Sequence, residues 1–385
     1  MRALLAKIDS LPLLKAILFL LALALFGGPA FLNAQRAAEA YAGRPASDWH
    51  ATNVWLKSSD CAARTGAWLV ICDGPTLRPI NDGGYPDDPG HALLLDIYSA
   101  WTRHAANLVD VVRLNTFINA AGLVVLAAFL FACRAWLVLL VLLWRGPYEY
   151  VGWQTTLPHW GYIGATTLAA ILPLAILAHE RGWMPIKAAR TFIVTGLLAL
   201  GMAALIRESI GLMALIITAV ILSTLWWSRR REHRPSAPLA ALAILMVVAW
   251  LAPRWVTLAR DLSFPVERAS IVQSHGLSHT LYTTLVAVER NIQHHDDIGQ
   301  NAVRAEAPDV VIYSPEYFRV LWRLYFRLIL DDPGAALQAY LAKTRAMLGD
   351  SLLEPAPPRG ARVRVPPRDT ASPTCAVLAS PAVCT

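Results

Sequence analysis

Charge is scarce in this sequence: Asp, Glu, Lys and Arg make up 16% of its 385 residues and hydrophobic residues 56%, where soluble domains carry about a quarter charged. The shortage points to lipid as the surrounding medium. A Walker-type phosphate loop, a dinucleotide glycine fingerprint and an internal repeat of fixed period are all absent, which speaks against nucleotide-driven transport by this chain alone. The helical metalloprotease pattern is missing too, because Gly276 follows His275 where that pattern needs Glu. Cysteine is sparse, with five in the chain. Cys61 and Cys72 lie close together, Cys375 and Cys384 lie near the C-terminus, and Cys133 stands alone; two short pairs suit an oxidising compartment, although spacing alone leaves the connectivity open.

What the sequence has in abundance is long apolar runs. A helix needs about 20 mostly apolar residues to cross a hydrocarbon core of about 30 Å. Such runs occupy Leu11–Leu32, Leu114–Cys133, Trp160–Ala178, Ala189–Ile206, Ser209–Trp227 and Pro238–Leu258. A shorter one, Ala135–Trp144, continues through Arg145, Gly146, Pro147 and Glu149 to Trp153. Counting it makes about seven spans. With the N-terminus and its Arg2, Lys7 and Lys15 inside, that count places Arg134, the His179–Arg190 link and the cluster Arg229, Arg230, Arg231 and Arg234 on the cytoplasmic side, as the positive-inside rule requires. The net charge of +7 therefore reads as topology rather than as affinity for nucleic acid. The first run has some features of a signal peptide, with Gly28-Pro29-Ala30 as small residues for cleavage; it is taken as a retained anchor, and either choice sends residues 33–113 to the outer face. Fourteen tryptophans, several at the edges of apolar runs, fit interfacial belts.

The expected architecture is all-α and polytopic: a transmembrane domain over residues 1–258 with an outer-face loop at 33–113, an outer-face helical domain over 259–353, and a disordered proline-rich tail over 354–385. The expected location is a bacterial inner membrane, with the N-terminus cytoplasmic and the C-terminus periplasmic. Within the loop, turn formers at Pro75, Pro79, Asn81-Asp82-Gly83-Gly84 and Pro86 next to the Cys61/Cys72 pair predict a small disulfide-pinned hairpin. Apolar residues at three- and four-residue spacing predict a helix over His91–Arg113. Helices are also expected over Ser270–Asn291, Pro315–Leu330 and Pro333–Leu348, the last two with Ser314 and Asp332 as N-caps followed by proline.

Five groups of residues carry candidate chemistry. Asp87, Asp88 and His91 sit in a run of turn formers, where adjacent acids that cannot both ionise cheaply suit a base or a metal ligand. Arg207 and Glu208 fall between two spans with almost no loop, hence at the bilayer boundary, where an arginine can grip a lipid phosphate and a neighbouring acid can orient it; the bland alternative is a turn whose side chains snorkel. Arg145, with Glu149 four residues on, lies on a segment broken by Gly146-Pro147, and broken helices with charges often line cavities. His275 and His279 share a helical face with His294-His295-Asp296-Asp297 downstream; two imidazoles at that spacing can take a divalent metal or a polar substrate, or simply pack. Arg319, Arg323 and Arg327 recur on an aromatic helix, the pattern of an amphipathic helix in the membrane interface, or else of a packed helix with a solvated arginine stripe.

This layout of an N-terminal span, a long acidic first outer loop, hydrophobic helices with short links and an extracytoplasmic helical C-terminal part resembles the GT-C superfamily of membrane glycosyltransferases. The resemblance implies transfer of a sugar from a polyprenyl-phosphate donor to an outer-face acceptor, with Asp87 or Asp88 as base and Arg207 as phosphate ligand. In this sequence the acids lie more than 50 residues after the first span, instead of close behind it. The competing reading is a non-catalytic membrane subunit that scaffolds partners in an envelope complex; transport of a lipid or small solute has less support, because Glu149 is the nearest approach to a deeply placed acid.

Overall fold

The computed structural model describes residues 12–44, 50–84, 88–147, 162–232, 237–267, 270–272, 274–289 and 296–342. The helices are α1 (Pro12–Ala38), α2 (His50–Thr65), α3 (Pro89–Thr102), α4 (Leu108–Ala132), α5 (Trp136–Pro147), α6 (Tyr162–Glu180), α7 (Ile186–Ile206), α8 (Glu208–Arg231), α9 (Ala237–Trp250), α10 (Ala252–Ser263), α11 (Gly276–Glu289), α12 (Asp297–Glu306) and α13 (Pro315–Asp331), followed by a helix over 333–342, α14. Two short strands, β1 (Val70–Asp73) and β2 (Thr76–Pro79), pair antiparallel with Val70 opposite Pro79 and Asp73 opposite Thr76. The chain is a helical membrane protein.

Five of the helices, α1, α4, α6, α7 and α8, are long and apolar enough to cross a membrane, and α9 with α10 makes a sixth if that pair, bent by 55°, is one span. The bend falls at Leu251–Pro253, where proline has no N–H to continue the ladder; Trp255 Nε1 donates to the Val248 carbonyl across it at 3.1 Å. Helix α5 has 12 residues, about 18 Å at 1.5 Å per residue, short of the hydrocarbon thickness. The expected count of seven thus meets five or six qualifying helices, and the continuation of α5, including Glu149, lies outside the described residues.

Chain direction is still legible. The start of α6 packs on α4 so closely that a Cβ on Gly122 would lie 2.7 Å from the Gly164 backbone, and Asn119 Oδ1 accepts the otherwise orphaned Gly164 N–H at 2.8 Å. Small residues at such crossings let backbones approach where lipid offers no hydrophobic drive for helix association. The C-terminal part of α4 meets the far end of α6 through Phe129, Ile171 and Ala178. So α4 and α6 run the same way, and the chain between them must return. The near end of the bundle gathers Tyr41, Leu108, Tyr162 and Arg207. At the far end Arg229 pairs with Glu180, and Arg230 and Arg231 stack on Trp226 and Trp227.

The near end carries two further layers. The first is α2, the hairpin and α3, with Val54, Trp55, Leu69, Ile80 and Leu95 as its core. Cys61 and Cys72 form the expected disulfide. Leu69 holds a left-handed φ of 56°, and both its peptide groups are clamped: its N–H donates to Asp96 Oδ2 at 2.7 Å and its carbonyl accepts from the buried Arg260 guanidinium at 3.2 Å. The helix expected over His91–Arg113 is two helices, for Arg103 turns left-handed (φ 61°) after α3, and Asn107 with Asp110 forms a capping box that starts α4 afresh. The second layer is α11 to α14, cored by Tyr282, Leu285, Val303, Tyr317, Leu321 and Tyr325. Ser314 caps α13 by accepting the Tyr317 N–H at 3.2 Å, and Asp332 accepts the Ala335 N–H at 2.8 Å. Both caps fall where the sequence placed them. The tail over 354–385, with Cys375 and Cys384, lies outside the described residues.

Candidate functional site

Asp88 precedes α3, whose first turn is Pro89 and Gly90. A Cβ on Gly90 would stand 2.6 Å from the Leu205 carbonyl carbon and oxygen and 2.7 Å from the Ile206 nitrogen. Only glycine lets α3 begin flat against the end of α7. Arg207 is the single extended residue (φ −155°, ψ 110°) between α7 and α8, so the contact at Gly90 also delivers Asp88 to it. The Arg207 Nη1 donates to Asp88 Oδ2 at 3.4 Å, with the carboxylate side chain 5% exposed and the guanidinium 28%. The same guanidinium lies over the Tyr162 ring, 5.5 Å from its centroid.

Beside this pair opens a cavity of about 360 Å³, walled by Asp88, Arg207, Glu208, Trp250, His275 and Thr280. It draws on the N-cap of α3, the α7/α8 junction, α9 and α11, with Asp88 and Thr280 192 residues apart in the chain. Met213 lines this cavity and also a second one of about 300 Å³ between α6 and α8, where the wall of Ala169, Pro173, Ile210, Ile217 and Ile221 is almost wholly apolar. A charged chamber at the end of the bundle and a hydrocarbon-lined groove thus lie on either side of one α8 residue, Met213.

His275 leads from the cavity to a second cluster. Its Nε2 lies 2.8 Å from Asp296 Oδ2, and the His279 Nε2 lies 3.4 Å from Asp296 Oδ1. His279 is buried, and its Nδ1 meets the Tyr317 hydroxyl at 2.7 Å. Hydrogen bonds from His275 and then His279 hold the Asp296 carboxyl well below the usual carboxylate range against the opposing effect of its burial. Burial, followed by the nearby Tyr313 and Asp296, pushes the Tyr317 phenol upward, so it stays protonated beside His279. Helix α12 comes close enough because Gly299 has no side chain: a Cβ there would sit 3.0 Å from His279 Nδ1.

The other expected site residues fall elsewhere. His91 lies one turn along from Asp88 but faces inward, stacked on Trp55 at 4.7 Å and bonded through Nε2 to Asn115 Oδ1 at 2.9 Å; it is 1% exposed and does not line the cavity. Arg207 pairs with Asp88, while Glu208 lines the cavity beside them. Arg145 is exposed at the end of α5, over the Trp144 ring at 5.6 Å. Arg319 pairs with Glu316 at 2.5 Å and Arg323 is exposed, on the side of α13 opposite Tyr317, Val320, Leu321 and Tyr325, which fill the core. Asp87, His294 and His295 lie outside the described residues.

Sequence reasoning passed over Asp96. It is fully buried, accepts from Ser58 Oγ at 2.7 Å as well as from Leu69, and burial raises its pKa to about 7. Its only sequence signal is an acid among Leu93, Leu94, Leu95 and Ile97 on the helix expected there. No protein-family model, curated protein or solved structure matches the chain.

Proposed function

We propose that this chain is a membrane glycosyltransferase of GT-C type that takes its sugar from a polyprenyl-phosphate donor. The observation that carries the reading is the shared wall at Met213, where a chamber holding Asp88 and Arg207 meets an apolar groove between two spans. An amphiphile with a phosphate at one end and a long hydrocarbon at the other suits both halves. The polyprenyl chain lies along α8 and the phosphate meets Arg207, whose planar fork matches phosphate oxygens.

In the transfer step an acceptor hydroxyl oxygen bonds to the anomeric carbon as the bond from that carbon to the phosphate oxygen breaks. The hydroxyl proton passes to the Asp88 carboxylate, and the bonding electrons leave with polyprenyl phosphate, whose added charge Arg207 offsets. Asp87 is the alternative base.

In the proposed orientation the basic far end is cytoplasmic and the near end, with its disulfide and cavity, is periplasmic in a bacterial inner membrane. The return of the chain between α4 and α6 supplies the seventh crossing. Acceptors and partners would then belong to the envelope.

Native mass spectrometry of the detergent-purified chain with undecaprenyl phosphate tests the lipid half, and transfer of labelled sugar from a polyprenyl-phosphate donor tests the chemistry. Charge-assisted hydrogen bonds contribute about 1.5–3 kcal/mol, so Arg207→Ala should weaken lipid binding by about 10- to 100-fold. Asp88→Asn should abolish transfer while lipid still binds. Normal binding in the first variant and normal transfer in the second would overturn the mechanism and favour a scaffold.

A further inference from the structure

We propose that His275, His279 and Asp296 form a zinc site with three protein ligands and one open position, at the edge of the same cavity. Their candidate ligand atoms all lie within 4.8 Å of one another. In a tetrahedral site with metal–ligand bonds of about 2.0–2.1 Å, ligand atoms stand about 3.3 Å apart. The 3.4 Å between His279 Nε2 and Asp296 Oδ1 already has that spacing, and the 2.8 Å between His275 Nε2 and Asp296 Oδ2 is that of a direct hydrogen bond. Admitting a cation needs the His275 contact to open by about half an ångström and ligand atoms that stand up to 4.8 Å apart to draw together, and Asp296, at 46% side-chain exposure, is the ligand best placed to move.

The surroundings are those of a ligand set and not only of a packed pair. His275 stands just before α11, where Gly276 turns left-handed (φ 66°), and not on one helical face with His279 as the spacing suggests; the turn still brings the two imidazoles to the same carboxylate, which arrives just before α12. A ligating histidine usually has its second nitrogen fixed by an outer partner. For His279 that partner is Tyr317: with Nε2 on the metal, the Nδ1–H donates to the phenol oxygen 2.7 Å away. Two neutral imidazoles and one carboxylate suit zinc over magnesium or calcium, which prefer oxygen ligands throughout. Three protein ligands with an open fourth position is the arrangement of a catalytic rather than a purely structural zinc.

Because His275 also walls the cavity with Asp88 and Arg207, the open position would take an oxygen of the bound phosphate or of the acceptor. That role rests on the transferase reading, whereas binding of the ion does not.

The test is elemental analysis of the full chain purified in detergent, followed by zinc titration of the chelator-stripped protein. About one zinc per chain is expected. Asp296→Asn, a change at a half-exposed position, should lower zinc affinity at least tenfold without unfolding the protein, and His275→Ala should lower it further. Tyr317→Phe, which removes only the outer partner, should cost about 10- to 100-fold. Zinc uptake well below one per chain, or equal affinity in wild type and Asp296→Asn, would overturn the site and leave a metal-free His–Asp–His hydrogen-bond network. Zinc bound by a protein in which Asp88→Asn transfers normally would sink the transferase mechanism and leave the site standing.

Discussion

Asp96 offers the sharpest quantitative prediction. Its carboxyl is enclosed by α2, the hairpin and α3, takes hydrogen bonds from Ser58 Oγ and the Leu69 N–H on one oxygen, and has no hydrogen-bond partner on the other among the described residues. Desolvation outweighs those two bonds and lifts the pKa from 3.8 to about 7. The folded state therefore binds a proton that the unfolded chain has released, so stability falls as pH rises from about 4 to about 7 and is level outside that window. The full penalty above pH 7 is on the order of 4 kcal/mol at about 1.4 kcal/mol for each tenfold change in proton affinity. Between about pH 8 and pH 5.5 it is relieved by about 2 kcal/mol. The assay is denaturant unfolding followed by tryptophan emission, to which Trp55 and Trp68 of the same core contribute. In Asp96→Asn the amide oxygen still accepts from Ser58 and Leu69, and its NH₂ replaces the unbonded oxygen at a pH-independent cost of about 1–3 kcal/mol. The difference in slope between the two proteins is thus the reading of interest. Parallel stability profiles over that pH range would refute the buried, protonated carboxyl.

Two further outcomes follow from local packing. Gly90→Ala forces a Cβ into the Leu205 carbonyl, an overpacking that costs about 1–3 kcal/mol; it should lower the unfolding midpoint and, by lifting Asp88 off Arg207, cut transfer more than binding of undecaprenyl phosphate, which paired activity and mass-spectrometric measurements would check. Removing the Cys61–Cys72 bridge, which spans 11 residues, should cost about 3 kcal/mol on the loop-entropy scale. Replacing both cysteines with serine and repeating the denaturant curve measures it directly.

Five of the seven expected spans, and a sixth as a bent pair, were legible because twenty-residue apolar runs have few other homes, and the caps of α13 and α14 were legible because Ser-Pro and Asp-Pro act locally. The hairpin and its disulfide were readable for the same reason: cysteines 11 residues apart stand just before a cluster of turn formers. The break at Arg103 was missed even though Asn107 and Asp110 spell a capping box, since apolar periodicity runs straight across it. Helix α2 was passed over because its charged and small residues give only a modest apolar stripe. The pairing of Asp88 with Arg207 needs Gly90 to sit against Leu205, and that is a property of tertiary approach which no spacing encodes. His275 and His279 were visible as a pair, but Asp296 lay 17 residues beyond the nearer one, and only the close contact at Gly299 folds it back.

The distribution of acids decides where chemistry is possible. In α1, α4, α6, α7, α8 and α9 the carboxylates occur only in a first or last turn, as Asp110, Glu180 and Glu208. The buried polar groups deeper in these helices, Asn115, Thr116, Asn119, Thr167 and Thr218, are neutral. Several are committed to the backbone: Asn119 to the start of α6, and the three threonines to carbonyls four residues back on their own helices. A carrier driven by protons needs an ionisable group along its path through the bilayer, and these six helices carry no carboxylate beyond their end turns. Charge and imidazole collect instead at one end of the bundle, where Gly90 brings Asp88 onto the single extended residue between α7 and α8 and where Gly299 brings Asp296 onto two histidines. Each of these approaches is made at a helix end that rests on another helix, and the hydrocarbon groove that shares Met213 with the Asp88–Arg207 cavity is formed by two of the same spans.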